Sequence, residues 1–183
     1  MPPTPIDFFN PIYKKNTNNT EFGLCDVPPP PHHEPADLGL DTADKSQWIA
    51  IVENKEALQV DFYPVDCGTI QNNVLYKIGV IEAKGAQMSK CDVMLVYSNE
   101  LKFVELKDRN LSPSEWIPKA ITQLKSTIAL FRTTYPKHQY QLTAHAANKM
   151  RPIPVSTKNY IQDFYNETDV LLQITQIINL QPE

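Results

Sequence analysis

Two carboxylates and a lysine are spaced along the middle of the chain in a way that suits metal-dependent hydrolysis. Asp92 begins the apolar segment DVMLVYS, and Glu105 and Lys107 end the next one, LKFVELK. In a strand, Glu105 and Lys107 share one face while Leu106 between them packs on the other. Carboxylate oxygens are preferred ligands of Mg²⁺ and Mn²⁺, and the backbone carbonyl of Leu106 offers a further oxygen. These residues predict a site for Mg²⁺ or Mn²⁺ with a lysine beside it.

Such a site has the components needed to cleave a phosphodiester with water. A divalent cation neutralises phosphate charge and lowers the pKa of a bound water. The ammonium of Lys107 can orient the attacking hydroxide and stabilise the charge that develops in the transition state. The alternative interpretation is a charged hairpin end, in which Asp92 caps a turn and Glu105 and Lys107 are simply solvated.

The two segments must form a hairpin for these side chains to meet. A two-residue turn at Asn99-Glu100 places Asp92 opposite Lys107. Even positions of the first strand and odd positions of the second then share a face, so Asp92, Glu105 and Lys107 converge at the open end. A three-residue loop would put Asp92 on the other face unless a bulge corrected it.

The flanking patterns predict an α/β or α+β domain built on one central mixed sheet with flanking helices. Strands are expected over residues 48–53, 58–66, 73–81, 92–98, 101–107, 139–146 and 169–178. Apolar residues three and four apart predict a helix with a buried stripe of Ile117, Ile121, Leu124, Ile128 and Phe131. Ser112 or Ser114 caps this helix, with Pro118 in its first turn, and a second helix is expected near residues 157–165.

The N-terminal residues differ in composition from the rest of the chain. Nine of the 16 prolines lie in residues 1–35, where Pro28 to Pro31 are followed by His32 and His33. This composition predicts an irregular, Pro-rich arm over residues 1–40, partly in the polyproline II conformation, before a single domain over residues 41–183. An exposed histidine pair in such an arm is more typical of plain surface than of a metal site.

Charge is distributed unevenly. Residues 84–160 contain 12 Lys and Arg against 5 Asp and Glu, although the whole chain has a net charge of −4. A basic segment in an acidic chain is compatible with a phosphate-contacting face, and equally with an uneven solvated surface.

The three cysteines and the apolar segments bear on the compartment. Cys25, Cys67 and Cys91 are odd in number and lack CxxC pairing, which favours a reducing compartment over disulfides or structural zinc. No apolar run approaches the roughly 20 residues of a membrane span. The first residues lack the basic and apolar regions of a secretory signal. A cytoplasmic protein is therefore expected.

The stretch CDVMLVYSNELKFVELKD, followed by AITQLKSTIALF, resembles the PD-(D/E)xK nuclease superfamily, which includes many restriction endonucleases and Holliday-junction resolvases. The resemblance to small stand-alone members covers about residues 60–178, and its motifs lie within residues 90–131. It implies a restriction-endonuclease-like fold. It also implies that Asp92 and Glu105 hold the metal, that Lys107 is the catalytic lysine, and that Gln123 matches a helical glutamine near the metal.

The match has departures. Thr127 stands where such members often have tyrosine. The family commonly takes another carboxylate from a helix before the motif, and none is evident here, although Glu53 or Glu82 could supply it. Lys149 and Arg151 are candidate contacts to nucleic-acid phosphates.

These observations predict a Mg²⁺- or Mn²⁺-dependent nuclease, acting on DNA in preference to RNA. The alternative is a non-catalytic module of the same fold that binds a protein partner through the Pro-rich arm. The complete Asp/Glu/Lys set favours the nuclease, whereas the overall acidity favours the binding module. Both hypotheses leave a homodimer open, and neither involves a membrane.

Overall fold

Helices follow strands in the second half of the chain, whereas the elements described in the first half are strands. The computed structural model describes residues 7–11, 14–26, 36–65, 89–150 and 157–181, and the backbone of residues 68–71 and 74–77. Within these residues the elements are β1 (Lys15–Thr17), β2 (Glu21–Cys25), β3 (Asp37–Gly39), β4 (Ala50–Glu53), β5 (Val60–Pro64), β6 (Gly68–Gln71), β7 (Val74–Lys77), β8 (Val93–Tyr97), β9 (Glu100–Lys107), α1 (Pro113–Thr134), β10 (Gln141–Asn148), α2 (Lys158–Thr168), β11 (Leu171–Ile174) and β12 (Ile177–Asn179). None of the helices in the described residues is long and apolar enough to cross a membrane.

The larger sheet has six strands in the order β1-β5-β8-β9-β10-β11. The pairs β1-β5, β5-β8 and β8-β9 are antiparallel, whereas β9, β10 and β11 run parallel to one another. Parallel neighbours need a long crossover, and α1 and α2 supply the two crossovers here. A smaller mixed sheet follows the order β12-β4-β2-β3, and β6 pairs with β7 in a separate ribbon. The fold is therefore of the α+β class, with two mixed sheets in place of the single sheet that the sequence predicts.

Two apolar cores lie on the two faces of the six-stranded sheet. One contains Met94, Leu101 and Phe103 together with buried residues of both helices. The other contains Val93, Leu95 and other residues of the same strands together with residues of the smaller sheet. Because neighbouring residues of a strand point to opposite faces, β8 and β9 contribute to both cores. The resulting layers are helices, larger sheet and smaller sheet.

Helix α1 carries the predicted apolar stripe. Ile117, Ile121, Leu124, Ile128 and Phe131 are all buried, as the spacing predicts. The Glu115 carboxylate accepts a hydrogen bond from the N–H of Ser112 at 2.9 Å and so closes the helix N-terminus. The predicted position of Pro118 is wrong, because the helix begins at Pro113 and Pro118 lies inside it. The spacing of the apolar residues is the same whether Pro118 lies in the first turn or farther inside the helix. It therefore does not show where the helix begins.

The predicted final strand, residues 169–178, is two strands in two different sheets. Strand β11 pairs with β10 in the larger sheet, whereas β12 pairs with β4 in the smaller one. The N–H of Ile51 donates to the carbonyl of Gln176 at 3.0 Å, between the two strands. A continuous apolar segment looks the same whether it stays in one sheet or crosses to another, so composition could not predict the division.

The irregular arm predicted for residues 1–40 is wrong where the structure describes it. Strands β1, β2 and β3 all lie in this segment, and β2 pairs with β4. Gly23 and Gly39 pair across β2 and β3, and a Cβ atom on either would lie 2.2 Å from the ring of Trp48. The tryptophan ring thus packs directly on both glycines. Residues 28–35, with the proline run and both histidines, lie outside the described residues.

The N-terminal segment also packs into the core that contains residues of both helices. Phe8 is buried, with its ring centroid 5.3 Å from that of Phe131 and 6.4 Å from that of Phe103. Its N–H donates to the hydroxyl of Tyr135 at 3.1 Å. The sequence pattern did not predict this contact, because two adjacent phenylalanines form neither a helical nor a strand periodicity.

The region between β5 and β8 is described only in part. The predicted strand over residues 73–81 corresponds to β7, and its last residues lie outside the described part of the chain. Pro64, the last residue of β5, pairs with Val93 of β8.

Candidate functional site

The β8–β9 hairpin sets the register of the motif residues. Tyr97 pairs with Glu100, so the turn residues are Ser98 and Asn99, and Ser98 has a φ of 48°. The predicted turn at Asn99-Glu100 is wrong by one residue, and the cross-strand register differs by two. A shift of two residues keeps every side chain on its expected face.

Glu105 and Lys107 lie on the face of β9 that packs against α1. The Lys107 ammonium donates a hydrogen bond to the Glu105 carboxylate and another, at 3.0 Å, to Oε1 of Gln123. Glu105 is fully buried, whereas the side chain of Lys107 is 20% exposed. A buried carboxylate requires a nearby positive charge to offset its lost hydration, and Lys107 supplies that charge.

Asp92 reaches the same end of β9 through an irregular step in the backbone. Its N–H donates to the carbonyl of Val104 in β9, whereas its carbonyl accepts from the N–H of Val65, just beyond β5. A regular residue of an antiparallel strand directs both groups to one neighbour. Strict alternation therefore does not apply at Asp92. Its carboxylate is located by a hydrogen bond from the N–H of Leu106, 2.6 Å from Oδ2.

Gln123 connects α1 to the end of β9 and to the segment that precedes β8. Its Oε1 accepts from Lys107, and its Nε2 donates to the carbonyl of Lys90 at 2.8 Å. The amide oxygen thus contacts the end of β9, and the amide nitrogen contacts the segment just before β8. The helical glutamine singled out in the sequence lies beside the predicted lysine.

Several charges act on Lys107. Burial lowers the pKa of Lys107, but Glu105, Asp92 and Asp26 together outweigh burial, and its pKa is raised above the ordinary 10.5. Lys107 therefore stays protonated at neutral pH. The ammonium is stabilised by one carboxylate of β9, one just before β8 and one just after β2.

Asp26 is the functional candidate that the sequence analysis missed. It follows β2 and lies near enough to Lys107 and Arg109 for both charges to act on it. Desolvation raises the pKa of Asp26, while these two cations oppose the rise. The short apolar segment EFGLC just before it is a strand pattern, but it lies between proline-rich stretches that are typical of irregular backbone.

The donor set is compatible with a hard cation that keeps several waters. Within the described residues, no three His, Cys, Asp or Glu side chains are grouped closely enough to form a metal site. Asp92 and Glu105 would therefore need the carbonyl of Leu106 and water as further ligands. The carbonyl of Lys107 accepts from Lys149 on the β10 side, so that of Leu106 is directed to the β8 side, where Asp92 lies.

Two of the remaining predicted residues, Glu53 and Lys149, lie in the described part of the chain, and their side chains contact other partners. Glu53 lies in the smaller sheet and pairs with Lys55 at 3.4 Å, so it does not supply the additional carboxylate. The ammonium of Lys149 donates to the carbonyl of Ser46 and lies 4.0 Å from Asp108. Glu82 and Arg151 lie outside the described residues.

Three other titratable groups are buried or half-buried in the structure. Cys91 is buried, Cys25 is half-buried, and Cys67 lies outside the described residues. His145 is fully buried and hydrogen-bonds the carbonyl of Thr175 at 2.7 Å. Burial lowers the pKa of His145 to about 4, so its imidazole is neutral at pH 7.

No protein-family model, curated protein or solved structure matches this chain.

Proposed function

We propose that this chain is a Mg²⁺- or Mn²⁺-dependent nuclease of the PD-(D/E)xK kind, with a restriction-endonuclease-like fold. One observation supports it above the others. The ammonium of Lys107 lies between Glu105 and Gln123, near enough to the carboxylate of Asp92 for that charge to raise its pKa. A lysine that contacts one carboxylate and lies near a second, at the end of an antiparallel pair backed by a helix, suits phosphodiester hydrolysis.

Each residue has a separate role in the proposed reaction. Asp92, Glu105 and the carbonyl of Leu106 would hold the cation, which would supply a charge to neutralise the phosphate and to lower the pKa of a bound water. Lys107 remains protonated because its pKa is raised, so it donates hydrogen bonds to the attacking water or to a phosphate oxygen. Gln123 keeps the ammonium in place when Glu105 turns to the cation, since it provides a second acceptor 3.0 Å away.

Nucleic acid is the proposed substrate, with DNA ahead of RNA as the resemblance implies. The surplus of Lys and Arg in residues 84–160 would favour a polyanion near the site. Lys149 follows β10, whose last residue pairs with Lys107, so it lies close to the site. A phosphate that binds Lys149 must displace its contact with the carbonyl of Ser46.

Incubation with Mn²⁺ and labelled single-stranded, duplex and branched DNA, with single-stranded RNA alongside, tests the proposal. Glu105→Gln should bind Mn²⁺ more weakly by calorimetry and cut nothing. Lys107→Met should keep its affinity for Mn²⁺, because a like charge is removed, and lose about 10²–10³ in cleavage rate. Glu53→Gln is the matched control, since it removes a carboxylate from the other sheet.

A non-catalytic module that binds a protein partner is the second candidate. It is favoured by the full burial of Glu105 behind its contact with Lys107, which would close the site to a cation unless the pair separates. If the wild-type protein binds no Mn²⁺ and cuts none of these substrates, the nuclease proposal fails and the non-catalytic binding module takes its place.

A further inference from the structure

The peptide unit between Lys90 and Cys91 is held at both of its polar groups by side chains of α1. Nε2 of Gln123 donates to the carbonyl of Lys90, and the hydroxyl of Thr127 accepts from the N–H of Cys91, each at 2.8 Å. Residues four apart lie one turn apart on the same helix face. A peptide unit is planar, so two anchors on opposite sides of it fix the orientation of the plane.

Thr127 is well suited to hold this peptide. It is fully buried, and its hydroxyl donates to the carbonyl of Gln123 at 2.8 Å. The proton of the hydroxyl is thus directed along the helix, which leaves an oxygen lone pair for the N–H of Cys91. A tyrosine at this position could not accept the same hydrogen bond from Cys91, because its hydroxyl lies much farther from the helix backbone.

The next residue after the clamped peptide is Asp92. Its backbone makes the irregular step described above, so alternation within β8 does not determine where its carboxylate lies. The hydrogen bond from Leu106 holds the carboxylate itself, and the clamped peptide, one Cα earlier in the chain, sets the direction from which the backbone enters Asp92. Gln123 also contacts Lys107, so one helix turn contacts both sides of the proposed metal site.

We infer that Thr127 is a positioning residue for the Asp92 carboxylate, acting through the Lys90–Cys91 peptide. This inference rests on the proposed function for its metal-binding consequence, and on the contacts alone for its effect on Asp92. If Thr127 merely filled the core, its loss would destabilise the protein without moving Asp92 relative to Leu106.

Three variants separate these roles. Thr127→Val keeps the branched shape and removes the hydroxyl, and Thr127→Ser keeps the hydroxyl. Thr168→Val is the matched control on α2. The Thr168 hydroxyl also donates to a carbonyl four residues earlier, at 2.7 Å, and accepts a backbone N–H, that of Val170, at 3.2 Å.

The metal-free measurement is amide hydrogen exchange of Leu106, whose N–H bonds the Asp92 carboxylate. Thr127→Val should speed this exchange about tenfold relative to Phe103 in the same strand, which corresponds to the loss of one hydrogen bond. Thr127→Ser should restore the wild-type rate, and Thr168→Val should leave Leu106 unchanged. Should Thr127→Val fail to fold, Thr127→Ala takes its place in the same comparison.

The second measurement is Mn²⁺ affinity by calorimetry, expected to fall about tenfold in Thr127→Val and to recover in Thr127→Ser. Unchanged Leu106 exchange in the folded variant, or equal acceleration of Leu106 and Phe103, would overturn the inference. Wild-type protein that binds no Mn²⁺ would refute the nuclease proposal alone, because Leu106 exchange still decides whether Thr127 positions Asp92.

Discussion

Replacing Lys107 by methionine would expose how strongly the buried carboxylate depends on its partner. Methionine keeps most of the apolar stem and removes the ammonium, so Glu105 would remain fully buried without its nearest positive charge. Removing one partner from a buried pair costs about 3–5 kcal/mol. The side chain of Lys107 is 20% exposed, so we expect the lower end, about 3 kcal/mol.

Urea titrations at pH 7 measure this cost. Lys125→Met is the matched control, because Lys125 pairs with Glu167 at 2.7 Å but Glu167 is 60% exposed. An exposed pair contributes less than about 1 kcal/mol. Glu105→Gln in the Lys107→Met background should recover most of the lost stability, since no uncompensated charge then remains.

Mn²⁺ adds a second test of the same charge. A cation that binds the carboxylates of Lys107→Met should stabilise it by about 2.7 kcal/mol at a concentration of 100 times its Kd. The reasoning is refuted if Lys107→Met unfolds at the same urea concentration as Lys125→Met. Equal stabilities would mean that Glu105 carries no buried charge for Lys107 to offset.

Three further perturbations address the fold. Because burial lowers the pKa of His145 from 6.5 to about 4, its contribution is complete above pH 6.5 and is lost as the pH falls towards 4. Wild type should lose about 2–3 kcal/mol more than His145→Gln between pH 7.5 and 4.5 in urea titrations, and parallel pH profiles would contradict this. Leu124→Ala should cost about 2–5 kcal/mol because Leu124 is fully buried, against about 0.5 kcal/mol for the exposed Lys119→Ala, and similar costs would show that α1 does not dock as described. Gly23→Ala should cost about 1–3 kcal/mol in thermal unfolding, since its Cβ would lie 2.2 Å from the Trp48 ring, and an unchanged melting temperature would argue against that packing.

Local patterns in the sequence determined the elements around the motif. The alternation of β9 puts Glu105 and Lys107 on one face, because side chains of a strand alternate irrespective of its partners. The stripe of α1 predicted its buried face for the same reason, since helical periodicity is a property of the segment itself. Gln123, by contrast, was singled out only by the resemblance to the PD-(D/E)xK superfamily, and it contacts Lys107.

Only the tertiary structure decided how those elements meet. The division of the last apolar segment between two sheets, and the pairing of β2 with β4, depend on contacts between distant residues that no local pattern records. Asp92 is the clearest case, because an irregular backbone step and a hydrogen bond from Leu106 locate its carboxylate. Asp26 approaches Lys107 from 81 positions earlier in the chain, and the nearness of two charges so far apart in sequence is set by packing, which composition does not encode.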